Sequence, residues 1–114
     1  MAINKLVAVY ILSHTLSEQK KETCGVKFVR TMISPIGSNR KRIMPLYSAE
    51  IESSWEVVRQ MRLQGYVFSF VAGSSFTAKF FDTSGAYSHK CDVAPLAICV
   101  AALKAKGVNV PFEN

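Results

Sequence analysis

SAEIESSWEVVRQMRLQG, residues 48–65, reads as one amphipathic helix that carries its own start and stop signals. Ser48 stands where an N-cap belongs. Glu50 and Glu52 follow in the first turn, where the helix dipole favours anions, and Arg59 and Arg62 sit near the end, where it favours cations. Ile51, Trp55, Val58 and Met61 recur at i, i+4, i+7 and i+10, which predicts a single apolar stripe. Gly65 is the residue that ends the helix. Beyond it the period drops from 3.6 to 2. Tyr66, Phe68 and Phe70 alternate with Val67, Ser69 and Val71, and Phe76, Ala78 and Phe80 alternate with Ser75, Thr77 and Lys79. A third, weaker strand spans 86–91. Gly73-Ser74 and Asp82–Gly85 supply the turns, with Gly85 expected in the left-handed region. Turns this short make an antiparallel meander, and its Phe-rich face needs a covering layer.

Working toward the C-terminus, a closing helix is predicted over 94–106, with Asp92 or Val93 at the cap, Pro95 in the first turn and Gly107 as the stop. Residues 93–103 (VAPLAICVAAL) hold no charge. A helix apolar on every side must be covered on more than one, either within the domain or at a subunit interface. The tail VNVPFEN reads as a short extended segment.

Working toward the N-terminus, Pro35, Gly37, Ser38, Asn39 and Pro45 mark 34–46 as loop. VKFVRTMI (26–33) alternates as a strand would, at a sheet edge, since Lys27 and Arg30 fall on opposite faces. SEQKKE (17–22) is either a last exposed helical turn or a loop. Residues 3–16 fit two readings: Leu6, Val9, Tyr10 and Ser13 have helical spacing, whereas Val7, Val9 and Ile11 alternate as in a strand.

With 114 residues, the chain has room for one domain, 1–114, divided into a basic region 1–46 and a helix–meander–helix core 47–107. The expected class is α+β: a small layered helix–antiparallel sheet–helix domain with a three- to four-stranded meander. The three cysteines have no CxxC spacing, which argues for a reducing compartment. LVAVYIL (6–12) is far short of a membrane span, and no small-residue cleavage site follows it, so neither a membrane partner nor a signal peptide is expected. The net charge of +6 is lopsided. Residues 1–46 hold eight basic side chains against two acidic ones, while 47–114 hold six of each. Such asymmetry can mark a surface for anionic partners.

Two stretches carry a family resemblance. YSAEI (47–51) continuing into WEVV (55–58), and CDVAPLAIC (91–99) continuing into AAL (101–103), resemble the phage ABA sandwich domain proteins over about residues 47–107. Those proteins show a Tyr-Ser start to a Trp-Glu-Val-Val helix and a closing helix opened by an Ala-Pro motif. This chain has Val93 where the family often has Thr, so the capping role passes to Asp92. The resemblance implies a phage or prophage origin, a layered helix–sheet–helix fold and a helical reading of 3–16. It brings no activity with it.

Few residues suggest chemistry. Among His14, Cys24, His89, Cys91 and Cys99, only His89 and Cys91 share a strand face, and no second pair completes a tetrahedral metal site. A Cys–His pair on one strand points poorly for proton transfer. Glu50, Glu52 and Glu56 read as a solvated helix face, Asp82 as a turn former and Asp92 as a cap. No catalytic residue, metal or cofactor is therefore expected. Phosphate recognition fits better. Arg40, Lys41 and Arg42 follow Gly37-Ser38-Asn39, with Lys20, Lys21, Lys27 and Arg30 in the same half, and Tyr47, Tyr66, Phe76 and Tyr87 are aromatics able to stack bases. The alternative is a solvated loop.

The expected function is a non-enzymatic phage accessory protein of the host cytoplasm. It would bind a host protein, a ribonucleoprotein or an anionic nucleotide or nucleic-acid ligand, and interfere with host defence in an anti-CRISPR-like or signal-sequestering manner. The excess positive charge rules out DNA mimicry. A nucleic-acid- or nucleotide-binding module in replication or regulation is one alternative, and a small nucleotide hydrolase is another. The uncharged closing helix further suggests a homo-oligomer.

Overall fold

The computed structural model describes residues 2–38 and 40–108; of residues 2, 21, 23, 26 and 28 it describes the backbone. Asn39 and the tail 109–114 lie outside the described residues, and so do the readings made of them. The elements run α1 (Ala2–Leu6), a π-helical turn (Val7–Ile11), β1 (His14–Thr23), β2 (Val26–Pro35), β3 (Arg42–Ile43), α2 (Ile51–Leu63), β4 (Val67–Ala72), β5 (Phe76–Asp82), β6 (Gly85–Cys91) and α3 (Ala94–Ala105). Two three-stranded antiparallel sheets, ordered β1-β2-β3 and β4-β5-β6, make this an α+β domain.

The second half follows its sequence signals closely. α2 ends in a Schellman cap: the Gly65 amide donates to Arg62 O at 3.1 Å and the Tyr66 amide to Met61 O at 3.1 Å. This requires the positive φ of 98° that Gly65 adopts. The meander is in register, with Phe68 opposite Phe80 and Phe80 opposite Tyr87. Its second turn departs from expectation. Gly85 has φ 159°, near the extended region, and the turn is held instead by Asp82, whose Oδ1 accepts from the Ser84 amide at 2.9 Å and the Ser84 hydroxyl at 2.6 Å.

α3 is buried on nearly every side. Pro95, Ala97, Ile98, Cys99, Val100, Ala101, Ala102 and Leu103 are all buried within the chain. The uncharged run is thus sheathed by its own domain: the meander lies on one side, with α2 and the N-terminal helical segment on the other. Within the run 93–103, Val93 stays 46 % exposed and Ala94 and Leu96 are half-buried. α2 and α3 share the Phe-rich face of β4–β6, and Val67, Ser69, Val71 and Lys79 on the opposite face are exposed. Every strand of that opposite face carries a polar residue, so water can cover it.

The first half departs further. Residues 2–11 are helical, but their buried side is Ile3, Val7, Ala8 and Ile11, while Val9 and Tyr10 from the expected stripe are exposed. Residues 17–22 are neither helix nor loop. They form most of β1, paired residue for residue with β2 from His14–Pro35 to Thr23–Val26. The turn is Cys24-Gly25, with φ of 52° and 77°, the two consecutive positive values of a type I′ hairpin. β2 is the central strand of its sheet and not an edge, although β3 pairs only Met32 and Ile33, with the Met44 amide donating to Thr31 O at 3.1 Å, and 26–30 are bordered on one side. Ten-residue strands span ~33 Å, and the radius of gyration, 15.1 Å, exceeds the roughly 13 Å usual for a compact chain of this length. The hairpin accounts for this. Its base is anchored by buried Ile33 and Ser34, and Lys20, Glu22, Cys24, Lys27 and Val29 of its outer half are exposed.

Asn4 joins the two halves. It is buried, and its Oδ1 accepts from the Ser48 amide at 2.9 Å and the Ser48 hydroxyl at 2.8 Å. Ser48 is therefore a tie between α1 and the 46–50 turn, and not the N-cap of α2. That position belongs to Glu50, which makes no side-chain capping bond.

Candidate functional site

The expected basic set does not converge. Strand alternation puts Lys20 and Lys27 in one set of hairpin positions and Lys21 and Arg30 in the other. Arg30 donates to Gln19 Oε1 at 3.0 Å. Arg40 and Lys41 are exposed in the loop before β3. Lys27 lies six residues along β2 from the Ile33–Arg42 pair, about 20 Å away. Arg42 is engaged with Glu56 of α2 at 3.1 Å, so part of its charge is already answered. The aromatic set divides in the same way. Tyr47 is fully buried and cannot stack a base, Phe76 stacks on Phe70 at 5.9 Å, and Tyr87 is half-buried on β6 beside Gly85. His89 and Cys91 share a face, but no group of three or more His, Cys, Asp or Glu side chains gathers there among the described residues.

What the structure does bring together lies on α2. The helix buries Ser54, Val57, Val58 and Met61, a stripe rotated from the predicted one. Ser54 can be buried because its hydroxyl donates to Ile51 O in its own helix at 2.7 Å. The rotation turns Trp55 outward until 48 % of it is exposed, with Phe68 meeting it edge to face at a centroid distance of 6.0 Å. Arg59 and Arg62 follow at i+4 and i+7 on the same side. Together with Tyr66 and Phe68 they line an open groove of about 890 Å³ between α2 and the start of β4. Both arginines are exposed, and neither guanidinium makes an ion pair or hydrogen bond among the described residues. The Tyr66 hydroxyl donates to Ala105 O at 3.3 Å; its pKa is raised by burial first, then by Asp82 and Tyr87.

A second, smaller depression of about 240 Å³ lies on the other flank of α2, among Leu12, His14, Glu56, Arg59 and Gln60. His14 is held below the usual histidine range by burial and then by the Arg42 charge, with Glu56 opposing. Tyr47 is buried nearby with its hydroxyl unpartnered, and burial followed by Glu56 pushes its pKa up.

The sequence reading assigned Trp55 to the core and Arg59 and Arg62 to the helix dipole. The missed signal was the spacing of one aromatic and two cations on a single helical stripe.

A family model for the phage ABA sandwich domain matches residues 5–103. The chain belongs to that family. The match runs well beyond the 47–107 segment in which the motifs were read and takes in the β1–β2 hairpin. A 2.0 Å crystal structure of a phage protein from Bacillus cereus ATCC 14579 is similar in fold to this phage ABA sandwich domain, with a TM-score of 0.70 and 24 % identity over 95 % of this chain and 87 % of that one. No curated protein matches it in sequence. No helix among the described residues is long and apolar enough to cross a membrane.

Proposed function

We propose that the chain is a non-enzymatic phage accessory protein that binds an anionic host component in the α2–β4 groove. The observation that carries this is the pair of unengaged guanidiniums, Arg59 and Arg62, beside the exposed indole of Trp55. Two charges without a partner among the described residues, at the rim of a concave aromatic surface, suit an anion with an apolar body. The groove is lined by no carboxylate, histidine or cysteine, which supports binding without turnover. Membership of a phage family supports a target in the host cell, and we place the role in interference with a host defence system.

The test compares retention from host lysate at low salt. Wild-type protein should hold an anionic component that elutes as salt rises. Arg59→Glu with Arg62→Glu should lose it, and Arg40→Ala with Lys41→Ala should keep it. Equal retention by both variants would overturn the assignment of the groove. For the proposed role, expression of the wild type, but not of the Arg59/Arg62 variant, should restore plaque formation on a defended host.

A further inference from the structure

We propose that the α2–β4 groove takes a single nucleoside bearing at least two phosphoryl groups, its base stacked on Trp55 and its phosphates gripped by Arg59 and Arg62. This rests on the assignment of the groove as an anion site and names the ligand class.

Three features carry it. The first is the count of open ring faces. Phe68, Phe70, Phe76 and Phe80 are committed to one another, with Phe68–Phe80 at 4.9 Å, Phe68–Phe70 at 6.1 Å and Phe70–Phe76 at 5.9 Å. Trp55 meets one ring edge to face and is 48 % exposed, whereas Tyr66, the other aromatic of the lining, is half-buried with its hydroxyl tied to Ala105 O at 3.3 Å, so Trp55 is the more open platform. Surfaces that track a single strand offer several platforms in succession, because successive bases each need one. One platform fits one base.

The second feature is the cation spacing. Along α2, Arg59 rises ~6 Å beyond Trp55, and Arg62 a further ~4.5 Å. The first interval leaves room for a ribose between base and phosphate. The second places two planar forks about one turn apart, each able to take a phosphoryl group bidentately. A monophosphate would engage one and leave the other idle.

The third feature is size and lining. About 890 Å³ lies within the range of small-molecule sites. The groove lining has arginine but no acidic side chain to repel a polyphosphate.

Trp55 is the only tryptophan in the chain, so its fluorescence reports the platform directly. The full chain is titrated with four nucleoside diphosphates, the matching monophosphates, inorganic pyrophosphate and a ten-residue oligothymidylate, with binding followed by fluorescence and calorimetry. At least one diphosphate should quench Trp55 and bind about tenfold or more tighter than its monophosphate. Arg62→Ala should remove that difference while leaving monophosphate binding nearly unchanged. Trp55→Ala should weaken the diphosphate about tenfold, and Trp55→Phe should retain part of it.

Pyrophosphate binding as tightly as every diphosphate, or the oligonucleotide binding tighter than all of them, overturns the nucleoside assignment while leaving an anion site in place. Absence of binding by every probe, or binding indifferent to Arg59→Glu with Arg62→Glu, overturns the anion site itself.

Discussion

Replacing Leu103 with Ala tests the central claim about α3, that its uncharged surface is covered by its own chain. Leu103 is fully buried. Removing its branched end strips buried methyl contacts and leaves a cavity, which costs about 2–5 kcal/mol. A domain of this length holds roughly 6–15 kcal/mol in total, so the variant should still fold. With a urea m-value of ~1.5 kcal/mol/M, the midpoint should fall by about 1–3 M. Leu63→Ala is the matched control, because the same atoms are deleted from a side chain that is 72 % exposed. That change should cost within about 0.5 kcal/mol. Urea titration of both variants at two protein concentrations, far apart, separates the alternatives. If α3 were covered by a second copy, the penalty at Leu103 would shrink on dilution, since the contact would already be lost. A Leu103 shift no larger than that at Leu63, or one that vanishes at low concentration, refutes the in-chain sheathing of α3.

Cys24→Asn should stabilise the β1–β2 hairpin by about 0.5–1 kcal/mol, because Cys24 holds φ 52° and Asn tolerates that region better before Gly25; slower amide exchange across β1 and β2 is the readout. Tyr47→Phe removes a buried hydroxyl with no partner and should raise stability by about 1 kcal/mol, whereas an unchanged or lower urea midpoint would mean that the hydroxyl is satisfied. Burial pushes the Cys99 thiol up from 9.0 to about 12. The unfolded chain then loses its proton first, so this contribution is intact below pH 9 and fades as pH rises toward 12. Cys99→Ala should flatten the alkaline loss of stability, and in the native wild type the exposed Cys24 should react with a thiol reagent far ahead of Cys99.

The legible parts of the fold were those in which burial imposes a period. The meander, α3 and both Gly-terminated helix ends are of this kind, since a strand with one wet face or a helix with a dry one must repeat at 2 or 3.6. The hairpin was illegible for the opposite reason. SEQKKE is polar throughout, with Ser17 and Gln19 half-buried and Glu18, Lys20 and Glu22 exposed, so no apolar alternation marks it as a strand. Its pairing is written in its partner, 26–35, and in a Cys-Gly turn that only its backbone angles reveal. Residues 3–16 failed midway, because one helical segment and one strand share that run and Ser13, at φ 55°, reverses the chain between them.

A single error of phase both misread α2 and concealed the site. Counting apolar letters selects Ile51 and Trp55 and passes over Ser54. Packing selects by size and satisfaction: a serine whose hydroxyl bonds within its own helix fits against a neighbouring element where an indole does not. Burying Ser54 and Val57 in place of Ile51 and Trp55, with Val58 and Met61 common to both stripes, rotates the inward face by roughly 55° at about 100° per residue. That rotation lifts Trp55, Arg59 and Arg62 out beside β4. Had the predicted stripe been buried, Trp55 would lie in the core and Arg62, which falls between Ile51 and Trp55 around the helix, would be drawn in with it, leaving Arg59 without a platform. The groove thus exists because a small residue took the core position. Ser54→Leu, which makes that position too large, should reduce Trp55 exposure and ligand affinity together. If acrylamide quenching of Trp55 stays at the wild-type level while the helix repacks, the groove does not depend on the phase of α2.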